Sequence, residues 1–160
     1  MRRYPVGLLG LCLLLCATAA ATDYPLGLSA RDERGCRLGH GSVEGATLHL
    51  MSAAHSDPGF PAGQALAILR RALAAGCDIH EADALGLSPL NAALLYNDAA
   101  LAAFLLEHGA DPARPIVSPK AALNGLDSPR WLTLLERRQP QHDRRALRRL
   151  LERHAAARQR

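Results

Sequence analysis

The sequence contains few aromatic residues: Phe, Tyr and Trp together account for 4% of it. β-branched residues are also scarce, whereas Ala and Leu are abundant. Strands are enriched in aromatic and β-branched side chains, and Ala and Leu stand high on the helix-propensity scale. With 49% apolar and 21% charged residues, the chain has the composition of a folded protein rather than a disordered one. The composition therefore favours helices that pack closely through small side chains.

The sequence also lacks an apolar run of the ~20 residues that a membrane-spanning helix needs. Its longest uncharged apolar run extends from Val6 to Cys16, about 11 residues. The basic segment Met1–Arg3 precedes this run, and the small residues Ala17–Thr22 follow it. This order is typical of a secretory signal peptide, which we place at residues 1–21.

The small residues place the cleavage site after Ala19 or Ala21. An uncleaved anchor is the alternative, and the pair Arg2-Arg3 leaves open whether the general or the twin-arginine export route is used. A lipoprotein requires a small residue before the modified cysteine, but Cys12 and Cys16 each follow Leu. We therefore predict an exported protein, most simply a periplasmic one.

Cysteine is scarce in the predicted mature chain, because removal of the signal peptide leaves only Cys36 and Cys77 of the four. In an oxidising compartment these two residues could form one disulfide. Closing a loop of about 41 residues would stabilise the fold by up to ~4 kcal/mol in the chain-entropy model. The alternative is a pair of free thiols, with Cys77 as a small buried side chain.

Motifs of common enzyme classes are absent after residue 21. The chain has no Gly-rich phosphate loop, no Gly-x-Ser-x-Gly elbow and no Cys-x-x-Cys pair. His49 and His55 are six residues apart, so they do not share a helix face as an i,i+4 metal-binding pair would. His80 and His108 fit a loop position and a helix end. We expect no catalytic residue, no cofactor and no metal ligand, and hence not an enzyme.

Charge is divided unevenly along the chain. Residues 22–136 carry 8 basic and 13 acidic side chains, a net charge of −5. Residues 137–160 carry 9 Arg against Asp143 and Glu152, a net charge of +7. A cationic segment can attract nucleic acid or anionic lipid. Because export argues against nucleic acid, we expect an acidic body with a basic C-terminal helix and no nucleic-acid partner.

Two similar segments show that the chain contains a repeat. Residues 65–78 and 98–111 each combine apolar side chains at helical spacing with a terminal glycine. Those glycines, Gly76 and Gly109, are 33 residues apart. Glycine adopts the left-handed conformation that ends many helices without the penalty a Cβ imposes. The pattern predicts one helix before each glycine.

A shorter helix is predicted before the second segment. Residues 83–94 read Asp-Ala-Leu-Gly-Leu-Ser-Pro-Leu-Asn-Ala-Ala-Leu, in which Ser88 can cap a helix that starts at Pro89. The stretch 83–111 resembles an ankyrin repeat. That family's pattern is Asp-x-x-Gly-x-Thr-Pro-Leu-His-x-Ala, a second helix, and Leu-Leu-x-x-Gly-Ala-Asp. Nearly every position matches, with Ser88 in place of Thr and Asn91 in place of His.

More degenerate copies flank this repeat. Residues 45–54 align on Leu48-His49, the position at which the family places a turn-stabilising histidine. Residues 56–64 form an enlarged loop, which is either part of a binding face or a neutral length variant. Downstream, Ser-Pro opens helices predicted at 118–123 and 128–136.

The resemblance implies an all-α fold, an ankyrin-repeat solenoid of paired antiparallel helices. It implies about three to four repeats, which we place at residues 43–80, 81–113 and 114–139. A helix at 143–157 would close the stack with a polar outer face. Residues 22–42 would form an irregular lead-in or a short N-terminal cap.

The resemblance also implies a non-catalytic scaffold that binds a partner protein on its concave face of turns and first helices. We expect a monomer, with Tyr96 as the best anchor. The predicted contact residues come from turn tips and first-helix faces: Ile79, His80, Glu81, Leu85, Leu87, Asn91, Leu95, Tyr96, Pro115, Ile116 and Lys120.

Several roles fit such a scaffold. Similar exported bacterial proteins include ones linked to periplasmic antioxidant enzymes and ones that resemble immunity proteins against a toxin. An acidic groove would suit a basic partner, but a net charge of −5 does not choose between these roles. The alternative of another class is association with a membrane surface through the Arg-rich helix.

The export prediction has a direct test. The mature protein recovered from the periplasm should begin at Ala20 or Thr22, because cleavage follows the small residues Ala19 or Ala21. Intact-mass measurement and N-terminal sequencing would show the start. A full-length chain retained in the membrane fraction would contradict cleavage and favour the uncleaved anchor.

Overall fold

The computed structural model describes residues 24–159 of the chain. The predicted signal peptide, residues 1–21, lies outside the described residues. A single 3-10 turn at Pro25–Gly27 begins the described part. The strands and helices that follow are β1 (Ser29–Ala30), β2 (Arg37–His40), β3 (Val43–Ala46), α1 (Thr47–His55), α2 (Ala62–Ala74), α3 (Pro89–Leu95), α4 (Ala99–Glu107), α5 (Ser128–Arg138) and α6 (Arg145–Arg158).

The fold is mixed α and β, so the all-α prediction is wrong. The three strands form an antiparallel sheet in the order β1-β2-β3, with Ser29 opposite Gly39 and Leu38 opposite Gly45. Residues 22–42 were expected to be irregular or to form a short capping helix, but they supply two of these strands. The sheet leads directly into α1, because β3 ends at Ala46 and the helix begins at the next residue.

Contacts made by single residues explain why the lead-in is a sheet. Leu38 is fully buried in the core, which anchors β2 against the helices. A Cβ at Gly39 would lie 2.6 Å from Nε of Arg31 and 2.7 Å from the Val43 carbonyl oxygen, so glycine lets the chain segments approach closely. Gly41 has a φ of +57° at the turn between β2 and β3. Gly39 and Gly41 are therefore features of the sheet and its turn.

The helices form three hairpins stacked side by side. α1 packs against α2, and α3 packs against α4. Along the stack α1 contacts α3, α3 contacts α5, and α4 contacts α6. The third hairpin is therefore α5 with α6, in which α5 takes the position of a first helix and α6 that of a second.

This arrangement corrects the sequence-based account of the C-terminal part. The predicted helix at 118–123 is only a turn, closed where the backbone N–H groups of Leu123 and Asn124 donate to the Lys120 carbonyl. Gly125, with a φ of +81°, ends it. So short a segment cannot offset the cost of nucleating a helix. As a result α5 is the first helix of the third hairpin and not, as predicted, the second helix of a third repeat. Its partner is α6, which was predicted to be a separate capping helix.

Helix ends follow the predicted chemistry in the middle of the chain. The Ser88 hydroxyl accepts a hydrogen bond from the Asn91 backbone N–H at 3.3 Å, and Pro89 occupies the first turn of α3. Gly76 and Gly109 adopt φ values of +80° and +96° after α2 and α4. At α5 the cap is Asp127 rather than the predicted serine, since its Oδ1 accepts from the Arg130 N–H.

A buried arginine joins the second and third hairpins. Arg144 precedes α6 and is 2% exposed. Its Nη1 donates to the Leu94 carbonyl at 2.6 Å, and its Nη2 donates to the Leu95 carbonyl at 3.3 Å and to the Gln139 side chain. A cation suits these carbonyls because they lie at the C-terminal end of α3. Burial lowers the pKa of Arg144, while the charge of Glu136 opposes that shift.

We predict that Arg144→Ala lowers the free energy of unfolding by about 3 kcal/mol, because it removes a buried side chain and the charge-assisted hydrogen bonds that it donates to the Leu94 and Leu95 carbonyls. Urea unfolding followed by circular dichroism would measure the change. Arg145→Ala is the matched control: its side chain is largely exposed and, among residues 24–159, pairs with Asp143, so its removal should leave the free energy of unfolding nearly unchanged. Equal effects of the two variants would refute the structural role given to Arg144.

Candidate functional site

Three of the predicted partner-binding residues are unavailable for binding. Leu87, Asn91 and Ile116 are each 3% exposed or less. The other predicted residues reach the surface to different extents. Leu85, Tyr96, Pro115 and Lys120 are exposed, and Ile79, His80, Glu81 and Leu95 are half-buried.

Local hydrogen bonds explain two of these burials. The backbones of Asp83 and Leu87 are bonded to each other, and Oδ1 of Asp83 also accepts from the Leu87 N–H at 2.8 Å, which closes the turn with Leu87 inside. Ile116 is held by its N–H donating to the Leu126 carbonyl and its carbonyl accepting from the Gly125 N–H. The sequence did not indicate either set of bonds. The bonds of Ile116 connect residues about ten positions apart.

Asn91 is buried at the joint between α3 and α5. Its side-chain Oδ1 accepts a hydrogen bond from the Ser128 hydroxyl at 2.8 Å, and its backbone carbonyl accepts from the Trp131 indole N–H at 3.0 Å. Ser128 and Trp131 are themselves buried. Asn91 therefore connects two hairpins instead of contacting a partner through an exposed face.

Two exposed apolar side chains, Leu85 and Val117, lie on loops that touch. A Cβ at Gly86 would lie 2.0 Å from the Val117 carbonyl oxygen, so the two loop backbones are in direct contact and only glycine fits. Next to this contact Leu85 is 42% exposed and Val117 is 79% exposed. We call Leu85, Pro115, Val117 and Lys120 the loop surface. The sequence analysis did not predict Val117 as a contact residue. The one indication in the sequence was that Ile116 and Val117 are adjacent apolar residues between two prolines.

Contacts from the N-terminal part position the first of these loops. A ring nitrogen of His49, Nε2, lies 3.0 Å from the Glu81 carbonyl oxygen. Arg37 on β2 forms ion pairs with both Glu44, at 3.0 Å, and Glu81, at 3.1 Å. His49 thus bonds to a neighbouring backbone, and the sheet and α1 together hold the segment that leads to Leu85.

A second concave region lies at the other end of α3, between the loop after α1 and the turn after α3. It is an open groove of about 620 Å³ lined by His55, Ser56, Phe60, Tyr96, Asp98 and Ala99 among others. The Oδ2 atom of Asp98 lies 2.6 Å from Nδ1 of His55 and accepts from the Ser56 hydroxyl at 2.9 Å. Its Oδ1 caps α4 through the Leu101 N–H. The enlarged loop therefore forms one wall of this groove.

Chemistry at this groove is limited by its hydrogen bonds. A serine nucleophile needs a base bonded to its hydroxyl, but the Ser56 hydroxyl donates to Asp98 and not to His55. Asp98 is held as a helix cap, and its second oxygen fixes the His55 ring. Residues 24–159 contain no cluster of three or more His, Cys, Asp or Glu that could hold a metal ion. Tyr96, 47% exposed, is the predicted anchor that lies here.

Cys36 and Cys77 are joined in a disulfide, with their Cα atoms 5.2 Å apart. Cys36 precedes β2 and Cys77 follows α2, so the bond ties the sheet to the first hairpin. Both cysteines belong to the core cluster. The disulfide thus fixes the part of the molecule from which Arg37 and His49 support the loop.

The Arg-rich helix α6 presents charge outward and its apolar stripe inward. Leu147 and Leu151 are buried within the stack, so these two leucines of the stripe are already covered. The Arg145 side chain bonds to Asp143 and lowers the pKa of that carboxyl to about 2. Arg149 and Arg153 are exposed. No helix within the described range is long and apolar enough to cross a bilayer.

Comparison with known proteins adds no relative. No protein-family model, no curated protein and no solved structure matches the chain. The resemblance to ankyrin repeats therefore stays a prediction carried by residues 83–111.

We predict that the Cys36→Ser, Cys77→Ser double variant loses about 2–4 kcal/mol of stability, since the cross-link restricts a long loop in the unfolded chain. Urea unfolding with and without reductant would measure the loss. Reductant should destabilise the parent protein by a similar amount and leave the double variant unchanged. A parent protein that is insensitive to reductant under unfolding conditions would show that the bond does not contribute.

Proposed function

We propose that this protein is a non-catalytic scaffold that binds a partner protein on the loop surface. The observation that carries the proposal is the exposure of Leu85 and Val117 on two loops whose backbones touch at Gly86. Exposed apolar side chains that lie together, rimmed by polar groups, are typical of protein interaction sites. His80, which lines a cavity together with Val117, and Lys120, three residues after Val117, are the polar residues near this position.

The loop surface is held in shape before any partner binds. Oδ1 of Asp83 accepts from the N–H groups of Leu85 and Leu87, each at 2.8 Å, and Oδ1 of Asp78 accepts from the His80 N–H at 2.8 Å. Ile116 anchors the second loop in the core. Ordering a loop costs conformational entropy on binding, so loops that are already ordered bind more tightly for the same contacts.

Two further considerations support this function. Loops and first helices are the surface on which ankyrin-like repeats bind proteins, and residues 83–111 carry that resemblance. The Cys36–Cys77 disulfide suits an oxidising compartment, in agreement with the predicted export to the periplasm. Burial of Leu147 and Leu151 of α6 within the stack argues against the membrane-surface alternative.

The proposal predicts that the Leu85→Asp, Val117→Asp double variant loses its partner. Placing two charges where apolar side chains meet a partner should weaken binding at least about 100-fold, since each buried apolar side chain contributes on the order of 1.5–3 kcal/mol. Tagged protein would be incubated with periplasmic extract, and the captured proteins identified by mass spectrometry.

Leu26→Asp is the control, because Leu26 is an exposed leucine at the N-terminal end, outside the loop surface. A protein captured by the parent chain and by Leu26→Asp, but not by the double variant, supports the proposal. An identical captured set for all three would place the interface elsewhere. Turnover of a substrate by the purified chain would refute a non-catalytic function.

A further inference from the structure

A small cavity lies beneath the loop surface, between the two loops and the start of α3. Its volume is about 120 Å³, enough for a small ion or a few water molecules. Residues from both loops and from α3 line it: His80, Gly86, Ser88, Asn91, Arg114 and Val117 among others.

The side-chain amide of Asn91 is the most unusual lining group. Asn91 is almost completely buried, with 3% of its surface exposed. Its Oδ1 accepts a hydrogen bond from the buried Ser128 hydroxyl. Because that hydroxyl needs an acceptor, the amide oxygen faces Ser128, and the amide nitrogen, Nδ2, lies on the other side. The other atom, Nδ2, donates no hydrogen bond to any residue between 24 and 159 and is not enclosed by protein. This accessible donor is therefore available to an acceptor that enters the cavity.

The remaining polar groups of the cavity are also donors or cations. The Ser88 hydroxyl oxygen accepts from the Asn91 N–H, which leaves its hydrogen free to donate. The guanidinium of Arg114 and the ring of His80 form no side-chain hydrogen bond or ion pair within the described part of the chain. A guanidinium can donate two parallel hydrogen bonds to the two oxygens of a carboxylate.

No carboxylate lines the cavity to neutralise these groups. The nearby acidic side chains already have partners of their own. Asp111 accepts hydrogen bonds from the Ala113 N–H and from Arg158, and these bonds lower the pKa of its carboxyl. Asp78 and Asp83 accept from backbone N–H groups of their own turns. The lining of the cavity is therefore rich in hydrogen-bond donors, with Arg114 as its cation.

We infer that this cavity binds a single carboxylate, with the Asn91 amide and Ser88 hydroxyl at its base and the Arg114 guanidinium at its mouth. The carboxylate belongs either to a small free organic acid or to a protein, as a chain terminus or an acidic side chain. The second source rests on the proposed function, since it would place a partner's acidic group at the centre of the loop surface. The first source does not depend on that function.

Titration of the mature protein with sodium acetate tests the site, with sodium chloride at equal ionic strength as the reference. In two-dimensional NMR spectra the Asn91 side-chain amide should shift saturably with acetate and not with chloride. Arg114→Gln should weaken acetate binding about tenfold or more, because it removes a charged hydrogen-bond donor. Arg149→Gln, which removes an exposed arginine of α6, should leave it unchanged.

A second titration identifies the source of the carboxylate. It uses a short alanine peptide with an acetylated N-terminus and compares binding of the form with a free C-terminal carboxylate with that of the C-terminal amide. Tighter binding of the free acid than of acetate indicates a protein carboxylate, and equal or weaker binding indicates a small organic acid. The inference is overturned if acetate leaves the Asn91 amide unshifted, if chloride shifts it equally, or if Arg149→Gln weakens binding as much as Arg114→Gln. None of these outcomes bears on whether Leu85 and Val117 contact a partner.

Discussion

Burial of the short helix α3 is the constraint on which the rest of the structure depends. Six of its seven residues are buried, and a helix of this length is not stable in water without neighbours. Its N-terminal half is held by Ser128 and Trp131 of α5 through Asn91, and its C-terminal carbonyls are capped by Arg144. Because α3 also packs against α1, this seven-residue segment contacts the hairpins on both sides of its own.

The N-terminal end of the stack is completed differently from the C-terminal end. The sheet covers the first hairpin, with Leu38 in the core and a disulfide joining it to the end of α2. At the other end α6 covers the stack with buried Leu147 and Leu151 and a surface of arginines. An amphipathic final helix with a polar outer face meets the need of a stacked structure for a soluble end.

The positions of the loop surface and of the cavity beside Asn91 both follow from the way in which the hairpins are stacked. The loop that carries Leu85 is tied through Glu81 to the sheet and α1, and the loop that carries Val117 is anchored by Ile116. Where the loops meet above the start of α3, they enclose the donor-rich cavity around Asn91. The exposed apolar pair and the cavity are thus neighbouring parts of one surface, which the buried joint beneath holds in place.

Features that depend on neighbours along the chain could be predicted from the sequence, and these are most of the helix ends. Ser88-Pro89 starts α3, and Gly76 and Gly109 end helices, because capping and left-handed turns need only residues a few positions apart. The sheet, the pairing of α5 with α6 and the burial of Asn91 could not be predicted in this way. Each arises from contacts between residues far apart in the chain, such as Asn91 with Ser128, and whether a polar side chain faces solvent or a neighbouring helix is decided only when the hairpins stack.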